Sequence, residues 1–408
     1  MVLYNINAKF LIGDFMNGIL NLDINQMPQT EFDCSCGKHH KFEVHDIAIG
    51  SGAINDLAKI AKPFEDGNIL IISDNNTYDI AAKKAKEVLE NAGFKNVREL
   101  VFDMGKKVLL PDEYCLGRII SEVGLDTKLL VAVGGGVLND ATKYVTSRLK
   151  LPYVFITTSP SMDGYVSEGA AIISQGFKVT HKSHFLYGLI GDTQILKNSP
   201  MRLISGGYGD IVGKITCLAD WYLSVKVNDE YWCETSVELV KRALDKCLTT
   251  AKGLSQGDED SVGALMEALT ISGIAMALIQ NSRPASGAEH LISHYWEMEY
   301  IKRGQNPIAH GIQVGLGSTI VARFFEELKD ILPEGVWDWC KPHEEIDEYL
   351  KLGACPTNPN EVGIDKDLFY ESLLKCYTVR ERYSVFKFAL ANNRLEEIAK
   401  KITDEFYN

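Results

Sequence analysis

Several things are missing from this chain of 408 residues. No apolar run approaches the roughly 18 residues a membrane span needs, so none is expected. The opening stretch, MVLYNINAKFLIGDF, lacks the basic n-region and cleavage site of a secretory signal, which predicts a cytoplasmic protein. A disulfide framework is also missing: the nine cysteines are odd in number and scattered from Cys34 to Cys376, so reduced thiols are the default. No long basic run offsets the formal net charge of -13, which argues against nucleic acid or an anionic membrane as partner. Any anionic substrate must then be held by local groups. There is no internal repeat and no low-complexity tract. What remains, 46% hydrophobic and 24% charged residues, is the composition of a globular protein. The length exceeds one ordinary core and predicts two domains, 1–198 and 199–408.

The first half alternates short β-rich runs with helical stretches: HDIAIG then INDLAKIAKPF, NILIISD then YDIAAKKAKEVLENAGF, LLVAVGGG then NDATKYVTSRLK, and finally YVFITTS. Strands such as ILIIS and LLVAV are apolar on both faces, the mark of a parallel sheet covered by helices on both sides. The segment AAIISQGFKVTHKSHFLYGLIGDTQIL reads as a hairpin and a last strand. After about residue 200 apolar residues recur at three- and four-residue spacing, as in packed helices. The expected architecture is an α/β Rossmann-like parallel-sheet domain followed by an all-α helical bundle.

VAVGGGVLND, Val131 to Asp140, reads as a buried strand, a glycine turn and a helix. Gly134, Gly135 and Gly136 let the backbone approach a diphosphate, and the helix offers its first N–H groups to it. Asp140 and Lys143 are placed on the first turn of that helix, where an acid can equally complement the helix dipole. Asp74 ends the strand ILIIS; a carboxylate there can accept from a ribose hydroxyl and repel a 2′-phosphate, favouring NAD over NADP, or it can cap the following loop. TTSPSMDGYVS, Thr157 to Ser167, is rich in hydroxyls with one acid, Asp163. It is either a plain polar loop or, from its place at the carboxyl end of a parallel strand, a contact for cofactor and substrate.

Asp210 in GGYGDIVGK, His290 in SGAEHLISHYW and His310 in NPIAHGIQVG are candidate ligands of one divalent metal with an open position for water or substrate. His290 and His294 are four apart on a helical pattern and project from one face. Each of these has an ordinary alternative. A helical histidine is often just a satisfied polar residue, and Asp210, after a glycine-rich turn at a helix start, could be an N-cap. Spacing alone does not unite Asp210 with the histidines. CSCGKHH, Cys34 to His40, does not have zinc-finger or ribbon spacing and no second pair is evident, so a solvated hairpin tip outweighs a metal site. The remaining cysteines read as core or surface residues.

In order, GGGVLNDATKYV, TTSPSMDGYVS, DTQILKNSPMRLISGGYGDIVGKITCLADW, SGAEHLISHYWEM and AHGIQVG resemble the sn-glycerol-1-phosphate dehydrogenase family, its bacterial AraM-type branch, within the iron-containing alcohol dehydrogenase and dehydroquinate synthase-like superfamily. The match spans most of residues 45 to 325, and CSCGKHH is similar to that branch's N-terminal region. TTSP departs from the more usual proline-threonine-alanine start of its loop, and Glu168 and Gly169 follow Ser167 in a variable stretch. The resemblance implies a dehydroquinate synthase-like fold and metal on Asp210, His290 and His310. It implies substrate contacts from Asp163, Asp210 and His294. The dinucleotide, NAD or NADP, would lie on Asp74, on Gly136, Val137, Leu138, Asn139 and Asp140, on Thr158, Ser159, Pro160 and Ser161, and on Ser167. It implies interconversion of dihydroxyacetone phosphate and sn-glycerol 1-phosphate by a homodimer or larger homo-oligomer; two imidazoles and a carboxylate suit zinc, ferrous iron or nickel, with zinc first by general frequency. A polyol dehydrogenase that needs no phosphate, a dehydroquinate synthase-like lyase and a catalytically silent nucleotide-binding module are the rival readings. Lys182 is a basic candidate for the phosphate, although a solvated lysine explains it as well.

Overall fold

The computed structural model describes residues 18–105 and 107–407; the opening stretch inspected for a signal lies outside them. Ten strands are assigned: β1 Glu31–Asp33, β2 His39–Lys41, β3 Asp46–Gly50, β4 Asn68–Asp74, β5 Val97–Phe102, β6 Thr127–Gly134, β7 Tyr153–Thr157, β8 Gly169–Ser174, β9 Phe177–Lys182 and β10 Gly188–Asp192. Six of them form one parallel sheet in the order β3-β10-β7-β6-β4-β5. Successive residues of the central strands point to opposite faces. Leu70, Ile72, Leu130 and Ala132 enter one core, while Ile69, Ile71, Leu129, Val131 and Val133 enter another. That is why these runs are apolar throughout. The edge strand β5 alternates between half-exposed and buried positions, and its mixed sequence VRELVF carries no comparable signal.

After β4 the chain moves outward to β5 and then returns to place β6 on the other side of β4. The carboxyl ends of β4 and β6, Asp74 and Gly134, therefore flank a topological switch point, where open parallel sheets bind ligands. Strands β8 and β9 form the expected antiparallel ribbon and β10 closes the sheet beside β3.

From Met201 onward the chain is helical. Glu259–Ile279 is, against expectation, long and apolar enough by composition to cross a membrane, yet 94% of its apolar window is buried inside the molecule. Interspersed Ser, Thr and Gly conceal the run from inspection, and they let the helix serve as the central core element. The small β1–β2 hairpin lies on the helical half: His40 Nδ1 is 2.7 Å from the Leu278 carbonyl.

Candidate active site

GGYGD is not a turn at a helix start, as its glycines suggested. It lies inside the Met201–Val212 helix, with Asp210 near the carboxyl end. The glycines serve packing instead. A Cβ on Gly207 would clash with the Pro160 carbonyl, one on Gly209 would land 2.5 Å from the Gly311 carbonyl oxygen, and one on Gly311 would clash with the Gly206 carbonyl. Two helices thus meet backbone to backbone, which carries Asp210 up to His310, the first residue of the His310–Glu327 helix. His290 and His294 project from the Ala288–Lys302 helix beside them.

One ligand atom from each of Asp210, His290 and His310 lies within 4.8 Å of the others. His290 Nε2 is 3.7 Å from Asp210 Oδ1, and the ring centroids of His290 and His310 are 5.2 Å apart. His294 stands over the same point, 5.9 Å from His290 and 5.7 Å from His310 between centroids. Burial holds His290 and His294 well below the usual imidazole range, with Lys214 adding to the effect at His290 and Arg380 at His294. Burial lowers His310 to about 4. All three are therefore neutral at pH 7, the form that donates a lone pair to a cation. Two neutral imidazoles and a carboxylate fit a divalent transition metal.

Three groups around this point were not singled out from sequence. Glu289 is fully buried; its Oε1 accepts from the Gly287 N–H at 2.7 Å and lies 2.8 Å from His290 Nδ1, and burial pushes its carboxyl up to about 8. Lys214 is fully buried, with its ammonium 2.7 Å from Asp210 Oδ1, 2.8 Å from Asp163 Oδ2 and 2.9 Å from the Ala285 carbonyl. Burial opposes its charge, but the two carboxylates outweigh it and raise its pKa. Asp163, raised by burial and by the charge of Asp210, also accepts from Ser272 Oγ at 2.8 Å, and its own N–H donates to Asp210 Oδ2 at 3.2 Å. The sequence held a clue to Lys214, which follows Asp210 by four residues and opens the next helix, Lys214–Asn228, across the Gly213 junction. The third group, Arg380, comes from the C-terminal region, where no motif was found.

A cleft of about 710 Å³ opens over these residues. Its walls include Asp163, Ser167, the β9 residues Lys178 to Lys182, the three histidines and Arg380. Lys178 pairs with Glu297 at 2.6 Å. Lys182, the phosphate candidate from sequence, is mostly exposed and 3.6 Å from Glu168.

The glycine turn joins β6 to the Gly136–Leu149 helix. A Cβ on Gly134 would press on Leu138 and one on Gly136 on Met162, while above Gly135 the nearest atom is Ser159 Oγ at 4.0 Å. The open space thus lies over the residue that precedes the helix N-terminus, a cradle suited to a diphosphate. Thr158 N–H donates to the Gly134 carbonyl, which holds the Thr158 to Ser161 loop beside that turn. Because the helix starts at Gly136, Asp140 and Lys143 lie beyond its first turn and face inward. Asp140 accepts from Ala171 N–H at 3.2 Å, and Lys143 donates to the carbonyls of Gly164 and Gly169 at 3.0 Å. They fasten the helix to the ribbon. Asp74 Oδ1 accepts from Asn76 N–H, Thr77 N–H and Thr77 Oγ1, each at 2.9 Å, so its loop-capping role is present at the strand tip.

Residues 48–200 match the family model described as iron-containing alcohol dehydrogenase. The chain is 31% identical to a glycerol-1-phosphate dehydrogenase (NAD(P)+) of Bacillus velezensis over 87% of this chain and 93% of that one. It is 30% identical to the protein of that name from Methanosarcina acetivorans, over 87% and 94%. Among solved structures, an iron-containing alcohol dehydrogenase from Thermococcus thioreducens superposes with a TM-score of 0.66 at 15% identity, covering 88% of this chain and 98% of that one. Glycerol dehydrogenase from Schizosaccharomyces pombe gives 0.65 at 17%, covering 88% and 90%. These two show the shared fold. With its parallel sheet, its helical C-terminal half and this extent of similarity, the chain belongs to the glycerol-1-phosphate dehydrogenase family of the iron-containing alcohol dehydrogenase superfamily.

Proposed function

We propose that this protein interconverts dihydroxyacetone phosphate and sn-glycerol 1-phosphate, moving hydride between C2 and the nicotinamide of NAD(H) or NADP(H). The observation that carries the reading is the convergence of Asp210, His290 and His310 beneath a cleft whose walls also include Asp163 and Ser167 of the loop after β7; the names of the relatives supply the substrate. Asp210, His290 and His310 hold one divalent cation, zinc first, nickel or iron as alternatives. When bound, it supplies Lewis acidity at the C2 oxygen, worth several kcal/mol of charge stabilisation.

The chain's own groups do the rest. Lys214 holds Asp210 and Asp163 in place, so that Asp163 can accept from a substrate hydroxyl. His294, neutral and at the same point, passes the proton that accompanies hydride between the substrate oxygen and the cleft. Arg380 and Lys178 line the same cleft as the histidines and give it positive charge, which would receive a phosphate. At the switch point the Gly135 turn would hold the diphosphate of the dinucleotide and Asp74 would accept from its ribose. Assembly as a homodimer or larger rests on the family resemblance alone.

The experiment is NADH oxidation, followed on metal-stripped protein to which each cation is returned in turn, with dihydroxyacetone phosphate or dihydroxyacetone. Cation-dependent turnover of the phosphorylated ketone supports the proposal. Full activity without metal overturns it, and equal turnover of both ketones favours a polyol dehydrogenase.

A further inference from the structure

CSCGKHH has the spacing of a solvated hairpin tip, but the fold places it against a residue far away in the chain. Cys34 Sγ is 3.8 Å from Cys233 Sγ across 199 residues. His40 Nε2 is 3.2 Å from Cys36 Sγ and 3.5 Å from Cys233 Sγ. One ligand atom from each of the four lies within 4.8 Å of the others. His40 is buried, as is Cys233. The missing fourth ligand comes from the loop that leads into the Glu234–Leu254 helix, beyond any local spacing rule.

We propose that Cys34, Cys36, His40 and Cys233 form a second, structural metal site for a thiophilic divalent cation of the zinc class. A tetrahedral zinc with bonds of about 2.3 Å to sulfur and 2.0–2.1 Å to nitrogen separates its ligands by about 3.8 Å between sulfurs and about 3.6 Å between sulfur and nitrogen. The Cys34–Cys233, His40–Cys36 and His40–Cys233 separations of 3.8, 3.2 and 3.5 Å are of that size. A disulfide needs sulfurs about 2.05 Å apart, and all nine cysteines are free thiols.

The surroundings are those of a supported site. His40 Nδ1 is 2.7 Å from the Leu278 carbonyl; a carbonyl can only accept, so the proton sits on Nδ1 and the Nε2 lone pair is turned toward the sulfurs. Tyr231 donates its hydroxyl to Cys36 Sγ at 3.0 Å, and Thr235 Oγ1 lies 3.3 Å from Cys34 Sγ. The Lys38 ammonium stands 3.5 Å from the centre of the Tyr231 ring. Three thiolates, one neutral imidazole and a dication sum to a single negative charge, and the bound form requires release of the three thiol protons to solvent. With four protein ligands the site is closed, which makes it structural rather than catalytic. It would staple the β1–β2 hairpin to the loop before Glu234–Leu254 and, through His40, to the end of the central Glu259–Ile279 helix.

Cobalt(II) substitution of the whole protein separates the two sites, because Asp210, His290 and His310 offer no sulfur. The expected result is a thiolate-to-cobalt charge-transfer band with strong tetrahedral d–d absorption. That band is kept in His290→Ala and lost in Cys233→Ser. In parallel, withdrawal of zinc by chelator should expose three further thiols to a disulfide reagent under native conditions. Absence of the band in the wild-type protein, its survival in Cys233→Ser, or a Cys34–Cys233 disulfide in the peptide map of freshly purified protein each overturns the proposal. Should Cys233→Ser fail to fold, the wild-type band and its persistence in His290→Ala decide the matter. If the active-site reading fails instead, the band remains while cation-dependent turnover is missing.

Discussion

His290 Nδ1 lies 2.8 Å from Oε1 of Glu289, its neighbour in the chain, while His290 Nε2 turns toward Asp210. A carboxylate behind a ligating imidazole fixes the tautomer and makes the opposite nitrogen a stronger donor. Glu289→Gln keeps an oxygen for the Gly287 N–H but replaces the acid, whose charged form a bound cation would favour, by a neutral amide. Metal affinity should fall about tenfold or more, read by competition with a chelator of known affinity. An unchanged affinity would mean that this contact only packs the helix start.

His290→Ala should release the metal and, with several kcal/mol of charge stabilisation gone, lower kcat/KM by about 10³-fold. Metal content and turnover are measured on the same preparation, with folding checked by circular dichroism. Retention of both would remove His290 from the site.

Arg380 is expected to act on binding. A hydrogen bond to a charged group contributes about 1.5–3 kcal/mol, so Arg380→Ala should raise KM for dihydroxyacetone phosphate by about 10–100-fold and leave any turnover of dihydroxyacetone unchanged. Equal loss with both ketones would place the phosphate elsewhere.

Gly311→Ala tests the helix crossing. Its methyl would strike the Gly206 carbonyl, and overpacking of this kind costs about 1–3 kcal/mol. A lowered Tm together with weaker metal binding is expected, since the crossing sets Asp210 against His310. A loss of Tm with unaltered metal affinity would uncouple the two.

Asp220 gives a pH dependence away from the metal ligands. Its carboxylate is buried, accepts from Val385 N–H at 2.7 Å and faces Arg283 at 3.4 Å. Burial, only partly offset by Arg283, raises its pKa to about 6, against about 3.9 when unfolded. Between those values the folded chain holds more protons than the unfolded one. The contribution of this group is therefore full below about pH 4 and is lost as pH rises through about 6. The Tm difference between wild type and Asp220→Asn should shift over that interval, with wild type losing ground toward neutral pH. A difference that stays flat from pH 4 to 7 would contradict this account.

Much of the first half could be read because β4, β6 and β7 are buried on both faces, which leaves continuous apolar runs in the sequence. β5 escaped because an edge strand needs no such run. The helical half announced itself by periodicity, but its crossings did not: the glycines around Asp210 read as a turn when their role is to let helices touch. Of the candidate ligands, Asp210, His290 and His310 are brought together along with His294. Arg380 comes from a region without a motif, and Glu289 and Lys214, although beside His290 and four residues after Asp210 in the chain, show their roles only once the fold buries them at the site. Cys233 shows the same blindness most plainly, since Cys34 and His40 lie 199 and 193 residues away.

The Asp163–Lys214–Asp210 triplet ties the loop after β7 to two helices with charges shut away from water. Drawing those elements apart would strand an ammonium between two acids in a dry interior, which is costly. The β8–β9 ribbon on the opposite wall is held to the helices by the partly exposed Lys178–Glu297 pair, a far weaker latch. Any give during ligand entry should therefore fall at that latch, since Asp140 and Lys143 anchor the ribbon on its other side and the two halves of the enzyme stay locked to each other like a fixed jaw.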